Sequence, residues 1–268
     1  MSDSESAHTR RAVIAAAAAA GMSLAEAAPA SARSRRQTML SADAANLFRL
    51  EDLEDADRMA PLAARDREAL RAIGDWIKTY VVRPHAEIGR PGPVCPFVPR
   101  AWESRTLWLA PQRVAGRRAS DMVELIDNYK SLFLSMPPIE GEDASYRSLV
   151  LVCTDLAPAR ARVLFADALA EVAAPAYEND GLVMGGFYEG NEGTAIYNPS
   201  FRPFTSPVPF LLMRHAVVSD WKFFLEDEAW LNRWARRYGP SAAQALAAEL
   251  RRHPWRSWRE PDNSASPS

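Results

Sequence analysis

Three stretches of this chain gather the side chains that could do chemistry. The first is 83–100, where His85, Arg90 and Cys95 stand among closely spaced prolines. Proline fixes φ and stiffens a loop, and rigidly positioned loops are where sites are built. Imidazole and thiolate both ligate metals. Cys95 directly precedes Pro96, a pairing found at haem-thiolate sites, where sulfur ligates iron; the alternative is a structural thiol in a proline-stiffened corner. The second stretch, 185–203, carries Tyr188, Glu189, Asn191, Glu192, Asn198 and Arg202 among glycines that permit close backbone approach. It reads either as the lining of a polar pocket or as a long hairpin loop whose Asn-Pro and Gly-Asn pairs only make turns. The third is Met213-Arg214-His215-Ala216. On a strand Arg214 and His215 point to opposite faces. His215 is a candidate ligand or acid–base group, and Arg214 a two-pronged clamp for carboxylate or phosphate.

These residues divide by role. His215 and Tyr188 are the candidate catalytic groups. His85 and Cys95 are the candidate cofactor ligands. Arg90, Asn191, Asn198, Arg202 and Arg214 are the candidates for holding a substrate. No dedicated metal cluster is read from the sequence. Several signatures are missing: G-x-S-x-G, G-x-x-x-x-G-K-[ST], H-E-x-x-H, C-x-x-C and G-x-G-x-x-G. That argues against ordinary serine hydrolases, P-loop enzymes, zincins and dinucleotide oxidoreductases.

The elements that must hold these groups follow from hydrophobic spacing. Leu70, Ile73, Trp76, Ile77, Tyr80 and Val81 predict a helix from Pro61 to about Pro84. A short strand over 106–109 precedes a helix over 119–134, marked by Met122, Leu125, Ile126, Tyr129 and Phe133. The unbroken apolar run Leu149–Cys153 predicts a central strand buried on both faces. A helix over 158–174 follows. Next come strands over 181–188, which its glycines open to a ligand or another backbone, and over 207–218. Ser219 is expected to cap a helix running to about Arg237, and Pro240 to begin a last helix ending near Arg252. The order predicts an α+β fold: a mixed or antiparallel sheet of about four strands covered by helices, in a single domain.

The flanks read differently. Thr9-Arg10-Arg11 ahead of an alanine-rich segment, with small-residue sites at 25–27 and 30–32, predicts a twin-arginine signal peptide over 1–32 and hence periplasmic or secreted placement through the Tat export machinery. The alternative is an alanine-rich extension on a cytoplasmic protein. Residues 33–58 read as a polar linker, 59–253 as the domain, and 254–268 as a disordered tail. The formal net charge is −2, so no global basic field points to nucleic acid. No long uncharged apolar run predicts a permanent membrane span. The two cysteines, Cys95 and Cys153, allow one disulfide, although Cys153 ends an apolar run and reads better as a buried thiol.

The motifs R-P-H-x-x-x-G-R-x-G-P-V-C-P-F (83–97), G-x-F-Y-x-G-N (185–191), N-P-x-F-R-P (198–203) and S-P-V-P-F-L-L-M-R-H-A-V (206–217) together resemble an uncharacterised family of bacterial domains over about 65–230. Through the Pro/Cys loop, a later G-x-F strand and a terminal P-x-L-L strand, the chain is also similar to the YqcI/YcgG family, some of whose members are haem-dependent N-oxygenases. That resemblance implies a haem- or iron-dependent oxidative enzyme acting on a small molecule. Cys95 or a histidine would ligate iron, and Arg90, Arg202 and Arg214 would hold an anionic substrate or the propionates. The rival expectation is a non-catalytic domain that binds an acidic small molecule or a partner protein. A third is a cofactor-free enzyme using His215 beside a carboxylate.

Overall fold

The computed structural model describes residues 44–252. The expected signal peptide, the first part of the expected linker and the expected C-terminal tail lie outside the described residues. The chain divides into two compact units, the first ending at Ala216 and the second beginning at Val217.

The first unit is built on one sheet. Its strands are β1 (Leu107–Gln112), β2 (Ser148–Cys153), β3 (Leu182–Phe187) and β4 (Phe210–His215), in the spatial order β1-β2-β4-β3. β1 and β2 are parallel, and β4 runs antiparallel to both β2 and β3. The α+β class and the mixed four-stranded sheet are as the residue order predicts. β2 is buried along its whole length, as an unbroken Leu-Val-Leu-Val-Cys run requires. Because β4 opposes its neighbours, β1, β2 and β3 all point the same way, and the loops that follow them leave from one edge of the sheet.

Alternation along the strands sorts the core into two layers. On one face Trp108, Ala110, Leu149, Leu151, Cys153, Leu211 and Met213 pack under helices α3 (Ala119–Ser135) and α4 (Pro158–Pro175). Leu107, Leu109, Val150, Val152 and Phe210 face the other way, under α1 (Ala64–Trp76). α1 and α4 each widen into a π turn at their C-terminal ends, over Ile77–Val81 and Ala176–Asp180. A short helix α2 (Val98–Glu103) begins inside the segment read from sequence as loop, with a proline in its first turn. A first-turn proline gives up an N–H that has no intrahelical partner anyway, so it does not oppose the helix.

The expected linker 33–58 is corrected over its described part. Leu47, Phe48, Leu50 and Leu53 are buried, and Phe48 forms an antiparallel bridge with Leu109 through two hydrogen bonds of 2.8 and 2.7 Å. The acids of this stretch turn outward while its four apolar residues enter the core, a pattern that a charge count over the whole segment hides. Gly186 is corrected too. A Cβ there would lie 2.8 Å from Cδ2 of Phe165, so the glycine makes room for a core ring rather than for a ligand.

The second unit holds α5 (Glu228–Tyr238) and α6 (Pro240–Arg252). The single helix expected from Ser219 to Arg237 is interrupted. Residues Val218–Phe223 form a 3-10 turn, with Asp220 accepting the Val217 N–H at 2.8 Å. A fresh helix then starts at Asp227, whose carboxylate accepts the Trp230 N–H at 3.1 Å. Asp and Ser are comparable N-caps, so residue type alone does not choose between Ser219 and Asp227 as the start. Trp221, Trp234 and the stacked Phe224–Trp230 pair form the interior of this unit.

Candidate functional site

Two of the three chemistry-bearing stretches meet. The 83–95 loop is closed at its neck by Val94 N–H to Arg83 O at 2.9 Å and Cys95 N–H to Val81 O at 3.0 Å, and Pro84 bridges Pro93. The 195–201 turn closes on itself through Ala195 N–H to Phe201 O at 3.0 Å. The two loops then lock together. Asn198 Nδ2 donates to Glu87 O at 2.7 Å. Ile88, Val94, Ala195 and Phe201 form a small apolar cluster against Tyr80. Gly89, at φ +77°, lies so close to Tyr197 that a Cβ would sit 2.8 Å from its carbonyl oxygen.

On this joint the ring of His85 stacks on Phe201, with centroids 4.6 Å apart, and meets Tyr80 edge-on at 5.8 Å. Nδ1 of His85 accepts the Glu87 N–H at 3.2 Å. In the neutral ring the proton is therefore on Nε2. Burial pushes the Tyr80 hydroxyl above its ordinary value, and the charge of Glu87 adds to this. Arg90 donates to Pro91 O and Val94 O, both at 3.0 Å, and so ties down its own loop. Arg202 is exposed and donates to Pro199 O.

Other expected members hold structure. Asn191 is buried; its Nδ2 donates to Gly186 O at 3.0 Å and its Oδ1 accepts the Gly193 N–H at 2.9 Å. It shapes the turn after β3 and has both ends of its amide engaged. Tyr188 is half-buried on the α4 side, 6.3 Å from the Phe165 ring. Burial raises its hydroxyl, with Arg162 opposing and Glu192 adding to the rise. Cys95 packs with the α1 layer and Cys153 with the α3–α4 layer; both are free thiols. The two sulfurs stand on opposite faces of the sheet.

Arg214 and His215 lie elsewhere. They do point to opposite faces: Arg214 sits over the Phe97 ring and His215 against Phe133 of α3. Both are at the far end of β4. Leu182 pairs with His215 at one end of β3, and Phe187 pairs with Phe210 at the other. Tyr188 and His215 are therefore separated by roughly 20 Å of strand, and they form no common catalytic pair. Nε2 of His215 lies 2.7 Å from Nη2 of Arg147, a group that only donates, so this nitrogen is an acceptor already in use.

These positions bear directly on an iron centre. Among the described residues no three His, Cys, Asp or Glu side chains group to hold a metal ion. His85 sits against Tyr80 and Phe201 and His215 against Phe133, and each of the two imidazoles has one nitrogen engaged within the protein.

The profile of the family described as domain of unknown function (DUF6875) matches residues 70–249. The chain belongs to the DUF6875 family. The DUF6875 match takes in the whole sheet and both interlocked loops. No curated protein and no solved structure matches the chain. No helix among the described residues is long and apolar enough to cross a membrane.

Sequence reasoning missed a polar network at the edge where β1 and β2 end. Asp66, on α1, is buried and takes Arg113 Nη2 at 2.7 Å and Thr154 Oγ1 at 2.6 Å. Its partners lie far away in sequence, and an acid in an amphipathic helix looks solvent-facing, so no local signal reveals the pairing.

Proposed function

We propose that this DUF6875 member binds an acidic small molecule over the His85–Phe201 platform, as a ligand-binding domain. The observation that carries this reading is the interlock of loops 83–95 and 195–201, which presents a stacked imidazole held in one tautomer. The arginines around it are anchored yet unspent. A guanidinium has five N–H donors. Arg90 uses two of its four Nη hydrogens on its own loop, Arg83 spends Nε on Lys78 O at 3.3 Å, and Arg202 reaches Pro199 O through Nη1. Each keeps further donors that suit a carboxylate or phosphate. Pre-organised donors beside a flat aromatic surface favour a planar or compact anionic ligand, because little side-chain entropy is lost on binding.

A thermal-shift screen of di- and tricarboxylates and phosphate monoesters tests the reading. At least one compound should raise the midpoint of the wild-type chain, and the shift should shrink in both His85→Ala and Arg202→Gln. A panel that leaves the wild type unmoved, or shifts that survive both substitutions, removes the proposal. Bound haem or iron after reconstitution, seen as a Soret band or by metal analysis, would restore the oxidative reading instead.

A further inference from the structure

A second basic surface lies where β1 and β2 end, on residues the platform does not use. The loop after β1 contributes Arg113, Arg117 and Arg118, and the start of α4 contributes Arg160 and Arg162. The two segments touch: Arg160 Nη2 donates to Arg117 O at 3.5 Å. Such a concentration of positive charge stands out on a chain of net charge −2.

The acids on these segments already have work. Asp155 Oδ1 accepts the Val114 and Ala115 N–H groups at 2.7 and 3.0 Å. Asp121 Oδ2 accepts the Arg118 N–H at 3.0 Å. Asp66 is buried beneath Arg113, with Thr154 on its other oxygen. Arg117, Arg118, Arg160 and Arg162 make no ion pair among the described residues. Arg118, Arg160 and Arg162 are exposed and Arg117 half-buried. A structural arginine is normally spent on a carboxylate or on carbonyls, as Arg113 and Arg147 are here. Apart from the single Arg160 contact, these four are not.

We propose that Arg117, Arg118 and Arg160 form a site for the phosphate group of a small ligand. Guanidinium forks match phosphate oxygens in two-pronged fashion, and their charge persists at every working pH. Arg160 reaches the Arg117 carbonyl from the neighbouring segment, and Arg118 follows in the chain, so three positive charges are carried on two adjoining segments, which suits a multiply charged phosphate better than a monocarboxylate. Loops after co-directional strands are also where ligands of sheet proteins gather. The site stands apart from the platform: it flanks α3 and α4, whereas the platform packs on Tyr80 at the end of α1.

Titration calorimetry of the full chain with inorganic pyrophosphate is the test. The wild type should give saturable binding that weakens at least about tenfold in Arg117→Gln/Arg160→Gln and has a shallower dependence on salt in that variant. Arg71→Gln, an exposed position on α1 that belongs to neither site, should bind as the wild type does. Should the double variant fail to fold by circular dichroism, the exposed Arg118→Gln reports in its place, with the same loss expected. Absence of saturable heat in the wild type would overturn the site, as would undiminished affinity in the variants.

Discussion

Nη2 of Arg147 and Nε2 of His215 lie 2.7 Å apart, joining the start of β2 to the end of β4. Arg147 is only 3% exposed and is otherwise spent on carbonyl oxygens: Phe133 O at 3.0 Å and Met136 O through Nη1, and Ala144 O through Nε. The first two belong to the C-terminal end of α3, where carbonyls lack intrahelical partners and a cation is favoured. Burial pushes the guanidinium below its ordinary value, and the carbonyls and the Phe133 ring face compensate the buried charge. Arg147→Met should lower unfolding free energy by about 3 kcal/mol, because several buried acceptors lose their donor together. Arg147→Lys should recover only part of this, since an ammonium cannot span the same carbonyls. Urea titration measures both, and an unchanged midpoint in Arg147→Met would refute the anchoring role.

Asp66 predicts an acid limb to the stability profile. Burial alone would raise its carboxyl, but hydrogen bonds from Arg113 and Thr154, with the charges of Arg113 and Arg65, outweigh it and hold the group below the ordinary aspartate range. A depressed folded-state value means that the stabilisation is fully present above the unfolded value of about 3.9 and is lost as pH falls through the folded one. Arg113 is half exposed, so solvent screens much of the ion pair, while the Thr154 bond is buried. Asp66→Asn should therefore be less stable than the wild type at neutral pH by about 1–2 kcal/mol. The gap should close towards pH 2. A gap that stays constant down to that pH would show that the carboxylate charge contributes nothing.

Gly89 is the residue that lets the two loops interlock. Gly89→Ala meets a left-handed backbone, which costs about 1–2 kcal/mol for an alanine, and a clash with Tyr197 as well. The expected result is a loss of about 2–3 kcal/mol, with faster amide exchange across 195–201 and weaker binding of any platform ligand. Exchange confined to 86–92 would place the joint elsewhere.

Thiol chemistry separates the two faces of the sheet. Cys153 is fully buried, and burial together with Asp155 pushes its thiol well above the ordinary range. Cys95 is half-buried. Ellman's reagent should therefore titrate Cys95 alone in the native protein and reach Cys153 only after unfolding. Loss of two hydrogens by intact mass under mild oxidation, without dimer formation, would contradict the opposed placement.

The elements were legible wherever a single periodicity dominated. The Met122–Phe133 spacing gives α3, and the Leu149–Cys153 run gives the doubly buried β2. What local pattern could not convey was direction and pairing. β4 inserts between β2 and β3, and this sends His215 to one end of the sheet while Tyr188 stays at the other. The meeting of His85 with Phe201 spans more than a hundred residues, and only the shared density of proline and glycine hinted at it. Asn191 and Arg90 were singled out as substrate-holding residues, whereas the hydrogen bonds they make here hold their own loops. Residues 44–54 were misread because the acids Glu51, Asp52 and Glu54, continued by Asp55 and Asp57, dominate the reading, although four well-placed apolar side chains suffice to dock a segment.

That docked segment bears on how the chain behaves in company. β1 is an outer strand, and its outward amide and carbonyl at Leu109 are taken by Phe48. An uncovered strand rim is a template on which another chain can grow. A truncation beginning after Leu53 would strip that cover and bare the apolar side chains beneath it. The shortened protein should self-associate in a concentration-dependent way even where its sheet survives.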